Sequence, residues 1–304
     1  METKQDGATT EQKCIAIQTA WERFQAIERS GPLALSFPQF IETFTPLRKL
    51  TEAIFHRVRS EAGTPQIIVF GLGRLCVEDF AEILFLAEHG YGYAAIKLLR
   101  GLYERAVVTE TIVENPDREG RRFFNYFAVD AMKFQNRAKG VYENRWTTDP
   151  EGMKKWFDEV KADYKYAACE SCGQVPQQSW TTYGLDALAG NLGKDSADPK
   201  LKKLGEQLRK AYLTCAALPN SHIHASMFGL SQRLVGAFGG DLRFKEDSQV
   251  DQVEFALSQA HGLFTLVLHT QNNFFNLGMD EQLQHIRNDW FTAWPSVGEE
   301  IEAS

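Results

Sequence analysis

The chain reads as an all-α protein, mainly a helical bundle, with one small β-hairpin near residues 232–245. Three observations predict this. Apolar residues recur at three- and four-residue spacing through almost every long segment, the signature of helices with one buried face. Nothing alternates strand with helix in the way a parallel sheet requires. The strand-like residues gather around Gly239-Gly240, in RLVGAFGGDLRF, where a tight turn is at hand.

The first helix runs through CIAIQTAWERFQAIERS and is broken at Gly31-Pro32. A second, about 37–62, carries Phe40, Phe44, Leu47, Leu50, Ile54 and Val58 on one face and stops at Gly63-Thr64-Pro65. The next stretch, QIIVFGLGRLCVEDFAEILFLAEHG, resembles a strand entering a dinucleotide loop at Gly71-x-Gly73. The third glycine is missing and no βαβ unit follows, so one long helix is the better reading. Glu78 and Glu82 lie a turn apart on its polar side. After a glycine turn comes the longest pattern, Tyr91 to Glu114, with Ile96, Leu99, Leu102, Tyr103, Ala106 and Val107 on one face. Glu110 falls inside that apolar arc, where a carboxylate needs a partner or a raised pKa. Arg100 and Glu104 sit one turn apart at its edge.

Asn115-Pro116-Asp117 stops this helix and starts another, whose Phe123, Phe124, Tyr126, Phe127 and Phe134 are expected to form a core face. Residues 140–195 are the least regular and read as an insertion. A helix starts again at Asp198-Pro199 and runs to Pro219, the segment Asn220 to Ser226 interrupts it, and a long helix from about 250 to 277 and a short one before Pro295 close the chain. Residues 1–10 are expected to be disordered, 11–294 to make a single domain, and 295–304 to be a tail.

The net charge of −7 disfavours a general polyanion binder, because non-specific nucleic-acid affinity is built from phosphate neutralisation, yet it leaves room for a local basic patch. The polar N-terminus shows no apolar signal core, and no apolar run approaches the roughly 20 residues that span a bilayer. Five cysteines without a framework spacing fit a reducing compartment, so a cytoplasmic protein with no membrane attachment is expected. Partners are expected to be another protein or a second copy of the chain.

Few motifs carry chemistry. Cys169-x-x-Cys172 supplies only two of a structural zinc's four ligands, and the spacing of His222 and His224 is not that of a finger. There is no Glu-x-x-His pair for a di-iron bundle, no nucleophile elbow and no phosphate loop, so neither metal nor cofactor is expected. The remaining candidate is His222-Ile223-His224, after a proline. On a helix these two histidines point nearly opposite ways, so one of them faces a given site.

The run AIKLLRGLYERAV, followed by Tyr212 and by Ser221-x-x-His224-x-Ser226, resembles the bacterial helical family catalogued as domain of unknown function 5677. That resemblance covers about 67–276 and implies a mostly helical fold, with Arg100, Glu104, Ser221 and His224 at its recurring positions. The chain is more distantly similar to HEPN helical bundles, many of them RNases in bacterial toxin and antiviral systems. Those carry an Arg shortly before the His, and here Ala217, Leu218 and Pro219 stand where it would be.

The expectation is therefore a cytoplasmic bacterial binding or effector protein, in defence against phage, with a polar pocket where Arg100 and Glu104 meet His224. Arg100 would hold an anionic group, Glu104 would orient it, His224 would move a proton, and Ser221 and Tyr212 would line the pocket. Two alternatives stand beside it. One is a metal-independent RNase using His224 with Arg100 as phosphate clamp; the other is a structural bundle in which these residues only fix packing.

Overall fold

Glycine and proline punctuate the chain into helices at nearly every point where its pattern breaks. The computed structural model describes residues 19–25, 27, 31–55, 63–138, 149–164, 179–224, 226–235, 243–244 and 249–295. In order these form α1 (Ala20–Gln25), α2 (Pro32–Ser36), α3 (Pro38–Phe55), α4 (Thr64–Glu88), α5 (Gly92–Glu114), α6 (Arg121–Ala138), α7 (Pro150–Val160), α8 (Leu185–Asn191), α9 (Pro199–Tyr212), α10 (Leu218–Ile223), α11 (Met227–Ser231), β1 (Leu234–Val235), β2 (Arg243–Phe244), α12 (Val250–Phe275) and α13 (Asp280–Ala293). The fold is all-α, and the one sheet among the described residues is a two-residue antiparallel ladder, Leu234 opposite Phe244 and Val235 opposite Arg243, inside the expected hairpin. The expected disordered start, the cysteines Cys169 and Cys172, the Gly239-Gly240 turn and the tail beyond Pro295 lie outside the described residues.

The chain divides into two compact units. One contains the described residues of Met1–Val58, Leu72–Ala106 and Ala211–Ser304; the other contains those of Arg59–Gly71 and Val107–Lys210. In the first unit, the core is a cluster of rings from α1, α3, α4 and α12. Phe80 and Phe264 stack with centroids 4.5 Å apart, and Phe24 meets Phe44 edge-on at 5.1 Å. Helix α13 folds back on α12, where the Trp290 indole donates to the Ser258 carbonyl at 3.1 Å. The reversal is made by Asn276, left-handed at φ 51°, and by the Asn272 side chain, which accepts from the Met279 amide at 2.8 Å.

In the second unit, α6 packs on α7 through Trp156, whose ring lies 5.2 Å from that of Phe124. Tyr164, just beyond α7, reaches back so that its hydroxyl donates to the Arg122 carbonyl at 2.6 Å. Close approach of α8 and α9 depends on Gly205, where a Cβ would meet the Leu192 carbonyl oxygen at 2.6 Å. The aromatic face of α6 is only partly a core: Tyr126 is buried, but Phe124, Phe127 and Phe134 stay about half exposed, the first two with the Trp156 ring beside them.

Candidate functional site

Helix α5 is buried along the face its periodicity predicts: Ile96, Leu99, Leu102, Tyr103, Ala106 and Val107 are sealed from solvent, and Glu110 is buried with them. The other edge of its first half, within the first unit, carries Tyr93, Lys97, Arg100 and Glu104, each three or four residues from the next and so aligned in one stripe. That stripe meets the chain that leads into α10.

The sequence Leu213 to Ile223 explains how. Pro219 has no amide hydrogen to give to the preceding turn, so a regular helix cannot continue through it unchanged. The chain responds with a wide π-helical turn at Leu213–Ala217 before α10 begins. An inserted residue in such a turn rotates everything after it. As a result Asn220 faces α5, and its side-chain oxygen accepts a hydrogen bond from the Arg100 guanidinium.

Two residues on, the His222 ring packs against Tyr93 at 5.1 Å between centroids. The Arg233 guanidinium lies 4.0 Å from the same tyrosine ring's centre, a cation–π contact. Tyr93 is held firmly, its hydroxyl donating to the Gln232 carbonyl at 2.8 Å and its amide to the Gln249 side chain at 3.2 Å. Burial, then the positive charges of Arg233 and Lys97, hold the His222 pKa below the ordinary histidine value, so its ring is neutral near pH 7. Among the described residues, none of Lys97, Arg100 and Arg233 forms an ion pair.

The residues named from sequence are placed as follows. Arg100 is half-buried and bonded to Asn220, with no hydrogen bond or ion pair to Glu104 or His224. Glu104 is exposed one turn further along α5. His224 is exposed at the end of α10, its backbone amide donating to the Asn220 carbonyl at 3.1 Å. Ser221 spends its hydroxyl on the Leu218 carbonyl at 2.6 Å, and its own carbonyl accepts from Ser226, which also caps α11. Tyr212 is half-buried beside Tyr103, with ring centroids 6.4 Å apart. The structure thus gathers Arg100 with Asn220, and His222 with Tyr93, Lys97 and Arg233. Tyr93, Lys97, Asn220 and Arg233 were not singled out from sequence, although the helical spacing of Tyr93 and Lys97 to Arg100 was a usable signal.

This arrangement falls inside the stretch that matches a protein-family model, described as a family of unknown function (DUF5677), over residues 66–241. The chain belongs to that family. The match takes in the whole of α5, the π-helical turn, α10 and α11, so the DUF5677 region contains every residue of the cluster. No curated protein and no solved structure matches the chain. Among the described residues, no helix is long and apolar enough to cross a membrane.

Proposed function

We propose that this DUF5677 protein is a cytoplasmic binding or effector protein that holds an anionic group at Lys97, Arg100, His222 and Arg233. The observation that carries the reading is that Lys97 and Arg233 flank one neutral histidine and Arg100 stands one turn along α5 from Lys97, none of the three in an ion pair among the described residues, in a chain with 40 acidic residues. Cations assembled in this way gain Coulomb energy when an anion arrives, and a guanidinium already fixed by Asn220 loses little freedom in binding it. The cytoplasmic setting is supported by Cys76 and Cys215, both buried as free thiols, which suit a reducing compartment.

Titration of the parent with inorganic phosphate, followed by nuclear magnetic resonance of the histidine rings, tests the reading. Binding is expected to raise the His222 pKa, because the anion offsets the charges that depress it. Sulfate, an anion whose charge does not change in this range, should therefore bind more tightly as pH falls through the ordinary histidine range. Arg100→Ala should weaken binding about tenfold or more, in line with the loss of a charge-assisted hydrogen bond. An unchanged affinity in Arg100→Ala and Arg233→Ala would refute the site.

One observation favours a second reading. A neutral histidine beside cations is the arrangement a general base for RNA cleavage needs, and His222 supplies it where the exposed His224 does not. RNA cleavage by the parent that His222→Gln abolishes, with phosphate binding retained, would make the protein an RNase.

A further inference from the structure

We propose that the anion taken by this site is the headgroup of an anionic lipid, and that the segment after the π-helical turn attaches the protein peripherally to a membrane surface; this rests on the anion-binding reading above. Residues 207–240 contain neither Asp nor Glu, in a chain whose net charge is −7. Within that acid-free stretch, the end of α10 and the whole of α11 hold their large apolar side chains out to solvent: Ile223 is 47 % exposed, Met227 68 %, Phe228 55 % and Leu230 41 %. Phe244 on the neighbouring ladder is 61 % exposed. Isolated exposed apolar residues are ordinary, but a run of them on adjoining short elements marks a surface that something covers.

The chemistry of the run decides among coverings. Ile223, Met227 and Leu230 are aliphatic or thioether side chains that pack against hydrocarbon and offer no flat face for a nucleobase, and the two rings, Phe228 and Phe244, lie on different elements. Single-stranded nucleic acid would call for aromatic platforms between the cations. The cations lie beside the apolar run, since Arg233 stands two residues past the end of α11 and sits over Tyr93 next to His222. Apolar side chains entering the acyl boundary, with guanidinium and ammonium groups at phosphate depth beside them, is how interfacial segments bind anionic bilayers. The backbone is built to hold this shape. A Cβ on Gly229 would overlap the Ser221 carbonyl oxygen, so α11 packs against α10 as closely as glycine allows, and Ser226 caps it through the Gly229 amide at 3.0 Å. Glu104, one turn past Arg100, is the acid that bounds the cluster on α5.

The test is co-sedimentation of the full chain with vesicles of equimolar phosphatidylcholine and phosphatidylglycerol, and with vesicles of phosphatidylcholine alone. The parent is expected to pellet with the first, to stay in solution with the second, and to be released by raised salt. Met227→Ser combined with Phe228→Ser should cut partitioning at least tenfold. That variant should keep the melting temperature and the phosphate binding of the parent, since both side chains are exposed and outside the anion site. Lys97→Gln should cost about fivefold, and Glu104→Gln should strengthen attachment. Phosphate binding without vesicle binding would overturn the lipid assignment and leave the anion site standing; loss of both would overturn the two together. Equal pelleting with neutral vesicles, or tighter binding to an oligonucleotide than to anionic vesicles, would also overturn it.

Discussion

At the scale of single residues, the most consequential side chain for stability lies away from the candidate site. His261 is fully buried in α12, its ring 5.5 Å from that of Phe40, with Nδ1 accepting from the Trp294 indole at 3.2 Å. Burial lowers its pKa to about 3, so the native ring is neutral and carries its proton on Nε2, which has no hydrogen-bond partner among the described residues. The unfolded chain takes up a proton near pH 6.5 and the native one does not, so stability is full above pH 6.5 and is lost as the pH falls towards 3, by about 1.4 kcal/mol per pH unit. Asp79 acts in the opposite sense. Burial outweighs its pairing with Arg105 and raises its carboxyl to about 6, so the stability it contributes is present below its ordinary value of 3.8 and lost as the pH rises through 6. Between pH 6 and 4 the two contributions oppose each other, so urea unfolding of the parent should show only a small net change over that range. His261→Gln, which keeps an acceptor for Trp294 but does not titrate, should leave the Asp79 contribution unopposed, so that the variant gains stability as the pH falls from 7 to 4; an unchanged slope would mean His261 is protonated in the native state.

At the scale of elements, the long helices were legible because each buries one face over several turns, and the glycine and proline breaks fell near the observed ends. Gly71-x-Gly73 shows what a motif alone cannot separate. Both glycines lie inside α4, Gly71 with nothing among the described residues beyond its own stretch of helix within 4 Å of an added Cβ, and Gly73 where a Cβ would come within 2.5 Å of the Gln271 amide nitrogen and 3.0 Å of Phe55. Gly73 is therefore a packing glycine that lets α12 approach, and Gly71 is not. Gly71→Ala should stabilise by up to about 1 kcal/mol through helix propensity alone. Gly73→Ala should destabilise by about 1–3 kcal/mol, because the fully buried Gln271 has nowhere to swing. Chemical denaturation of the two variants checks both signs. The site was less legible than the helices for a related reason. Arg100 stands where its periodicity predicts, but its partners depend on the rotation added by the turn at Leu213–Ala217, which hydrophobic spacing does not encode. That rotation is why His222, and not His224, meets Tyr93.

At the scale of the whole molecule, charge is distributed against the average. The chain carries −7 overall, while its acid-free stretch and the first half of α5 hold Lys97, Arg100 and Arg233. An approaching anion feels both, weighted by distance. At about 0.01 M salt the Debye length is about 30 Å, so the net negative charge opposes binding across much of the protein. At about 0.1 M it shrinks to about 10 Å, and only the nearby cations are felt. Further salt screens those as well. Phosphate affinity measured by calorimetry is thus expected to rise on going from very low salt to about 0.1 M and then to fall. Lys97→Gln should flatten the falling limb and leave the rising one, because it alters only the local field. A steady fall from the lowest salt would show that the cluster dominates at all distances. A rise that continues beyond about 0.1 M would place the bound anion away from these cations, and with it the functional reading built on them.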